Sequence, residues 1–338
     1  MELTTGLALL VSAVAGGGLT LAAKRMALRW RVMDRPEKGK LHQAPTPRLG
    51  GAAIFVAYLL GTLFAWPWSG AERVILLGGL VTFLIGLMDD LYHLAALVKL
   101  LALGVVTFGL AQAGVVVQLV PGWPALNTAV TLLWIVGVAS AYNAMDNMNG
   151  LAAGIALIAS GIYLAVALQT KQTQWGVFAA ALAGASLGFW LHNFRTGSIF
   201  MGDAGSFFLG FSLAVLGVMG GWSSNPLKAW LVPLLVLGVP LADLVYTVLQ
   251  LRRTGVVTSW RGAIAYSGQV HLSHRLLRLG FSQTGAVLMI YLICLTVSLG
   301  ALVLRGTTTI QTLLLLVQFC LILWIVGTLM HVVRRPRS

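Results

Sequence analysis

The sequence predicts an all-α, polytopic integral membrane protein, and three observations carry that prediction. Hydrophobic residues fill 58% of the 338 positions and charged residues only 9%, with a mean hydropathy of +0.90. Apolar runs recur from end to end, each near the roughly 20 residues that cross a hydrocarbon core. The runs are long Leu/Val/Ala stretches, without the short alternating segments of a β-barrel. A soluble helical protein of this size needs abundant charge on its outer faces, and 31 charged residues cannot provide it.

Eleven spans are expected, at about 3–23, 49–67, 73–88, 94–114, 125–142, 150–168, 175–192, 204–222, 227–250, 283–304 and 309–333. The first has no basic segment before it and no convincing cleavage site after it, so it reads as a retained helix. The second follows the proline and glycine punctuation of Pro45-Thr-Pro-Arg48-Leu-Gly-Gly51. The third ends on Asp89-Asp90. The fourth and fifth are the least sharp, because GVVVQLVPGWP between them is itself fairly apolar. The sixth and seventh follow the Asn143–Gly150 stretch, and the eighth opens at Asp203. The ninth carries Asp243 between Pro240 and Tyr246, with its role open. Cys294 and Cys320 sit inside the last two runs, with neither a disulfide framework nor metal-ligand spacing.

Eleven spans put the termini on opposite sides, and basic residues decide which is which. Eighteen of the 22 Lys and Arg fall on one set of connections, and only Arg73, Lys171, Lys228 and Arg305 on the other. The N-terminus is therefore expected outside and the C-terminus in the cytoplasm. The net charge of +13 is a topological bias rather than a nucleic-acid footprint. No repeat or soluble domain is visible, so residues 1–338 read as a single transmembrane domain. Its cytoplasmic site loops are about 24–48, 89–94, 143–150, 193–203 and 251–282. The composition fits a bacterial inner membrane, and a homodimer is left open.

Only nine residues are acidic, and Asp89, Asp90, Asp146 and Asp203 all fall at cytoplasmic span ends, as do all six histidines. Carboxylates at membrane borders are costly and point to function. Adjacent Asp89 and Asp90 raise one another's pKa, which suits a base, though an ion pair with Lys99 is the plainer alternative. Asn143, Asp146 and Asn149 are spaced by three, as on one helix face, and supply hard oxygen ligands for Mg²⁺; a plain loop is the alternative. Gly150 permits close approach of a ligand or a sharp turn. Asp203, flanked by glycines at a helix start, suits either a metal-bound phosphate or an N-cap. His271 and His274 at i and i+3, with Arg275, suit anions better than Zn²⁺, since no third ligand is near; a loop meeting lipid headgroups is the alternative. The loop before the second span carries further cations, including Lys40 and Arg48.

In order, KLHQAPTPRLGG, LMDDLYH, NAMDNMNGLAAG, FMGDAGSFFLG and HLSHRLLRLG resemble the motifs of the polyprenyl-phosphate N-acetylhexosamine-1-phosphate transferases (glycosyltransferase family 4). The resemblance runs over roughly residues 34–290, and the His-Leu-Ser-His-Arg loop is similar to that of the GlcNAc-type branch. It implies transfer of a sugar-1-phosphate from a UDP-sugar to undecaprenyl or another polyprenyl phosphate, with UMP released and Mg²⁺ required, Mn²⁺ being a substitute. It further implies Asp203 as metal ligand with Asn143 as a second, and Asp89 and Asp90 acting on the polyprenyl phosphate. Asn149 falls near the uracil with Asp146 beside it, and His271, His274 and Arg275 near diphosphate and sugar. Lys40 and Arg48 are expected to screen the two anionic substrates from each other.

A transporter would carry acids near mid-bilayer and show repeated halves; here the four acids sit at helix ends and no repeat is seen. The Asp-Gly…Ala-Arg…Gly…Asp pattern of transferases that use CDP-linked donors is absent. A non-catalytic relative that keeps the scaffold is the remaining rival, since Ser140, Asn149, His93 and the Thr196-Gly197-Ser198 stretch depart from the family pattern.

Overall fold

A computed structural model describes residues 2–36, 44–120, 122–223, 225–259, 262, 266, 268 and 270–332, with backbone alone at 226–227 and 329–332. Lys40 and His42 lie outside the described residues. The long helices are α1 (Glu2–Trp30), α2 (Gly50–Thr62), α3 (Gly70–Tyr92), α4 (Ala96–Gln112), α5 (Pro124–Met145) and α6 (Leu151–Gln169). They continue with α7 (Thr173–Asn193), α8 (Gly202–Met219) and α9 (Pro226–Arg253), then the short α10 (Leu272–Arg278), α11 (Gln283–Val303) and α12 (Thr309–Val332). Among the described residues nine of these are long and apolar enough to cross a membrane, while α2, with its 3₁₀ extension to Ala65, and α4 are shorter. The fold is thus an all-α, multi-pass membrane bundle.

Outward faces are apolar, as a hydrocarbon solvent requires: Leu3, Val105, Leu133 and Ile310 are all more than 70% exposed. Inside, small residues let backbones approach, the packing mode that replaces hydrophobic collapse in lipid. On α7 a Cβ at Gly188 would lie 2.8 Å from the carbonyl carbon of Gly16, so α1 and α7 touch backbone to backbone. Helix α8 is the core: every residue from Gly202 to Gly217 is buried except Asp203. Phe208 meets Phe55 edge-on at 5.1 Å, and Phe55 stacks on Phe83 at 4.7 Å, which ties α2, α3 and α8 together.

The polar connections are also ordered. β1 (Met33–Asp34) pairs antiparallel with β2 (Thr46–Pro47), and Arg48 bridges in parallel to Phe200. Gly50 and Gly51 then donate to the carbonyls of Phe200 and Met201, both at 2.9 Å. These bonds fix the chain entering α2 against the chain entering α8. Several helix limits differ from the sequence expectation by a few residues, and two of them carry charged residues into a helix. α1 continues to Trp30, making Lys24 to Arg29 helical, and α3 runs past the aspartate pair to Tyr92, with His93 as its left-handed C-cap.

Candidate active site

The site is built where the end of α3 meets the start of α8. Amides in the first turn of a helix lack intrahelical acceptors, and here Asp90 supplies them from another helix. Its Oδ1 accepts from Asp203 N at 2.8 Å and its Oδ2 from Ala204 N at 3.1 Å. Its side chain is only 1% exposed. Two glycines make room for this contact. A Cβ on Gly86 would lie 2.6 Å from Ala204 Cα, and Gly202 adopts φ +70 directly against the Asp90 carboxylate. Asp203 is not the N-cap: Met201 occupies that position.

Two cations join the aspartates. Arg48 Nη2 lies 2.8 Å from Asp90 Oδ1 and 2.9 Å from Asp203 Oδ1. Lys99 Nζ lies 2.6 Å from Asp89 Oδ2 and 3.0 Å from Asp203 Oδ2. Asp203 is therefore held through both oxygens, and each cation links it to one member of the pair. Asp89 Oδ1 also accepts from Leu94 N at 2.6 Å, closing the turn after α3. Burial alone would lower the Arg48 pKa, but Asp90, then Asp203 and Asp34, outweigh it and hold the guanidinium charged. A cavity of about 330 Å³ opens beside Arg48 and Asp90, lined also by Arg31, Asp34, Arg35 and His93.

The expected Asn143–Asp146–Asn149 helix face is broken by the end of α5. Asn143 lies in the last turn and donates from Nδ2 to Ser206 Oγ at 3.1 Å, leaving its oxygen for another partner. Asp146 is the C-cap, and Asn149 lies in the following turn against Gly197. The turn is forced by Gly150, at φ +78, whose N–H is accepted by Asn193 and whose carbonyl is held by Tyr291. Asp146 retains some accessible surface, yet its carboxyl is pushed up to about 7, chiefly by enclosure and then by the charge of Asp203.

His271, His274 and Arg275 form a second group, organised by Asp243 of α9. Asp243 is 2% exposed; its Oδ2 meets His271 Nδ1 at 2.7 Å and its Oδ1 accepts from Leu272 N at 2.7 Å. His271 is thereby pinned as the N-cap of α10, so the two histidines do not share a regular helix face. Arg275 is buried and donates from Nε to Val270 O at 2.8 Å, hydrogen-bonds Gln250, and lies over the Tyr246 ring. Its place is in the α9–α10 contact. His274 Nδ1 is buried with no hydrogen-bond partner among the described residues. Burial first, then His271 and Arg278, push its pKa down to about 4, so the ring is neutral near pH 7. Ser273 Oγ donates to Asn147 Oδ1 at 2.7 Å and ties this group to the turn after α5.

Sequence reasoning did not assign Lys99, Asp243, Arg31 or Arg35 to the site. Lys99 and Asp243 carried a usable signal, since a charge within an apolar run requires a partner. Arg31 and Arg35 were hidden among the cations that mark topology.

The sequence profile of glycosyl transferase family 4 matches residues 73–221, a stretch that contains all four aspartates, Lys99 and Asn143. A probable undecaprenyl-phosphate N-acetylglucosaminyl 1-phosphate transferase of Bacillus subtilis is 32% identical, over 86% of this chain and 82% of that protein. A decaprenyl-phosphate N-acetylglucosaminephosphotransferase of Mycobacterium tuberculosis is also 32% identical, over 82% of this chain and 77% of that protein. A phospho-N-acetylmuramoyl-pentapeptide-transferase of Symbiobacterium thermophilum is 36% identical over 65% of this chain and 76% of its own. Identity of this extent over most of each chain, together with the profile match, leaves one assignment: the chain belongs to glycosyl transferase family 4.

Proposed function

We propose that this protein transfers GlcNAc-1-phosphate, or a related N-acetylhexosamine-1-phosphate, from its UDP-sugar to a polyprenyl phosphate. The products are polyprenyl-diphosphate sugar and UMP, the first step of a cell-envelope glycan. One observation carries the proposal: Arg48 and Lys99 each bridge Asp203 to one of the adjacent aspartates, beside a cavity lined by further arginines. Phosphoryl transfer between two anions depends on positioning and charge neutralisation rather than on covalent protein chemistry.

The donor set fits Mg²⁺. With Asp89, Asp90, Asp146 and Asp203 ionised, Arg48 and Lys99 leave two negative charges for a further cation to match. No three His, Cys, Asp or Glu side chains converge as a ready-made cage among the described residues. That suits an ion that binds through one or two carboxylates, keeps waters and takes substrate phosphate oxygens. Asp203 and the free oxygen of Asn143 are the proposed ligands. When bound, the ion supplies charge neutralisation at the diphosphate.

The remaining work belongs to the side chains. Arg48, with Arg31 in the same cavity, receives the phosphate of the acceptor lipid while its tail stays in the bilayer. An oxygen of that phosphate attacks the sugar-bearing phosphorus directly, and the bond to the bridging oxygen breaks, so UMP leaves. Lys99 screens the charge gathered on the departing phosphate. Asp89 orients Lys99, and Asp90 sets Arg48 and the first turn of α8. Asp146 and Asn149 face the nucleotide, and His274 belongs to the loop beside the sugar or diphosphate. The same reading places eleven crossings in the inner membrane, with the N-terminus outside and the site in the cytoplasm, as the cation bias directs.

The test is the purified chain with Mg²⁺, undecaprenyl phosphate and a panel of UDP-sugars, followed by UMP release and labelled lipid. Turnover with a UDP-N-acetylhexosamine, lost by orders of magnitude in Asp203→Asn, supports the proposal. Absence of turnover with every donor, beside an active control enzyme, overturns it.

A further inference from the structure

At the end of the bundle opposite the aspartates lies a cavity of about 870 Å³ between the end of α11 and the start of α12. Its polar rim is Gln169, Arg305, Thr307 and Gln311, and Leu302 and Leu315 are among its apolar walls. Leu314 and Leu315 of α12 face Leu302 and Val303 of α11 across it. Beyond Leu315 and Gln318 the space closes to a void of only about 10 Å³ between α9, α11 and α12, so the groove is confined to the first turns of α12.

Charge marks the rim. Only four basic residues belong to this end of the sequence pattern, and three gather here. Arg305 lines the cavity and donates one Nη1 bond to Gln169 O at 2.9 Å. Lys228 Nζ donates to the carbonyl of Thr307 at 2.5 Å. Lys171 is exposed two residues beyond Gln169. The ion pairs of Asp89, Asp90, Asp203 and Asp243 are made with Lys99, Arg48 and His271, not with these three cations. A cationic rim above an apolar slot is complementary to an anion that carries a hydrocarbon tail.

We propose that this groove binds one anionic phospholipid of the leaflet facing it, with the phosphate at Arg305 and Lys228 and an acyl chain along α12. Charge-assisted bonds to phosphate select the headgroup, and the apolar wall of Leu302, Leu314 and Leu315 receives the start of the tail. This site is separate from the transfer chemistry and does not depend on the proposed function.

Native mass spectrometry of the full-length protein, released from mixed micelles of palmitoyl-oleoyl phosphatidylglycerol and the matching phosphatidylcholine, tests the proposal. The expected result is one retained phosphatidylglycerol per chain, preferred about ten-fold over phosphatidylcholine, a difference of roughly 1.4 kcal/mol. Arg305→Gln, alone and with Lys228→Gln, is expected to erase the preference. Leu315→Trp is expected to lower retention of both lipids by obstructing the slot, with thermal unfolding as the check on folding. Excess glycerol 3-phosphate is expected not to compete. Equal retention of the two lipids, an unchanged preference in Arg305→Gln, or competition by the tailless phosphate would each overturn the proposal. So would a dimer mass that Leu315→Trp abolishes, since a second copy would then cover the groove.

Discussion

Gly202→Ala separates assembly of the site from the chemistry performed in it. The substitution removes no ionisable group, yet a Cβ at this position would lie 2.8 Å from both Cγ and Oδ1 of Asp90 and closer still to Oδ2. The backbone there has φ +70, where an L side chain costs roughly 1–2 kcal/mol. Displacing Asp90 also weakens its bonds to the amides of Asp203 and Ala204, each worth about 1.5–3 kcal/mol as a charge-assisted hydrogen bond. If one of the two is lost, the total is on the order of 3–5 kcal/mol. Arg48 moves with Asp90, and displacements of about 1 Å can cost on the order of 100-fold in rate. The assay pairs UMP release with thermal unfolding in detergent. Gly202→Ala is expected to lose both activity and stability, and Asp90→Asn to do the same, because its amide can accept only one of the two N–H groups. Gly18→Ala, where a Cβ meets nothing within 4 Å, is the neutral control. A Gly202→Ala protein with wild-type rate and unfolding temperature would refute the idea that Asp90 assembles the site through α8. Loss of rate with unchanged stability in Asp90→Asn would instead make Asp90 a base or ligand alone.

Lys99→Met removes the bridge between Asp89 and Asp203, leaving Asp89 without its cation and Asp203 with Arg48 alone; UMP release is expected to fall by about 10²–10³, and wild-type turnover would remove Lys99 from the site. Asp243→Asn keeps shape but weakens the hold on His271; a rise in KM for the UDP-sugar is expected, with kcat less affected, and unchanged KM would confine Asp243 to a structural role. For His274 the folded-state pKa is about 4, below the unfolded value near 6.5. Its contribution to stability is therefore complete above about pH 6.5 and is lost as pH falls toward 4, because the unfolded chain binds the proton first. Thermal unfolding at stepped pH should show that slope, and His274→Gln should flatten it; an identical slope in the variant would place the titration elsewhere.

How much of this was readable in the sequence follows from which forces act locally. Spans were readable because lipid tolerates nothing else: the runs at 150–168 and 283–304 correspond to α6 and α11 within a residue or two. The charged ends were readable for the same reason, since a carboxylate beside a long apolar run has few explanations. What the sequence could not show was partnership across the bundle. Asp89 and Asp90 are neighbours of equivalent chemistry, yet one takes Lys99 and the other takes Arg48 and the first amides of α8. That division is set by the approach of α3 to α8, permitted by Gly86 and Gly202, and the two glycines lie more than a hundred residues apart. Spacing failed where the helix ended. Asn143, Asp146 and Asn149 fit a helical repeat of three, but Gly150 at φ +78 and its bond to Asn193 close α5 at Met145. Asp146 becomes a cap and Asn149 turns toward Gly197. A position in this site is thus specified twice, by a polar residue at a membrane border and by a distant small residue that lets another backbone reach it. The glycines of α3 and α8 belong to the site as much as the aspartates do.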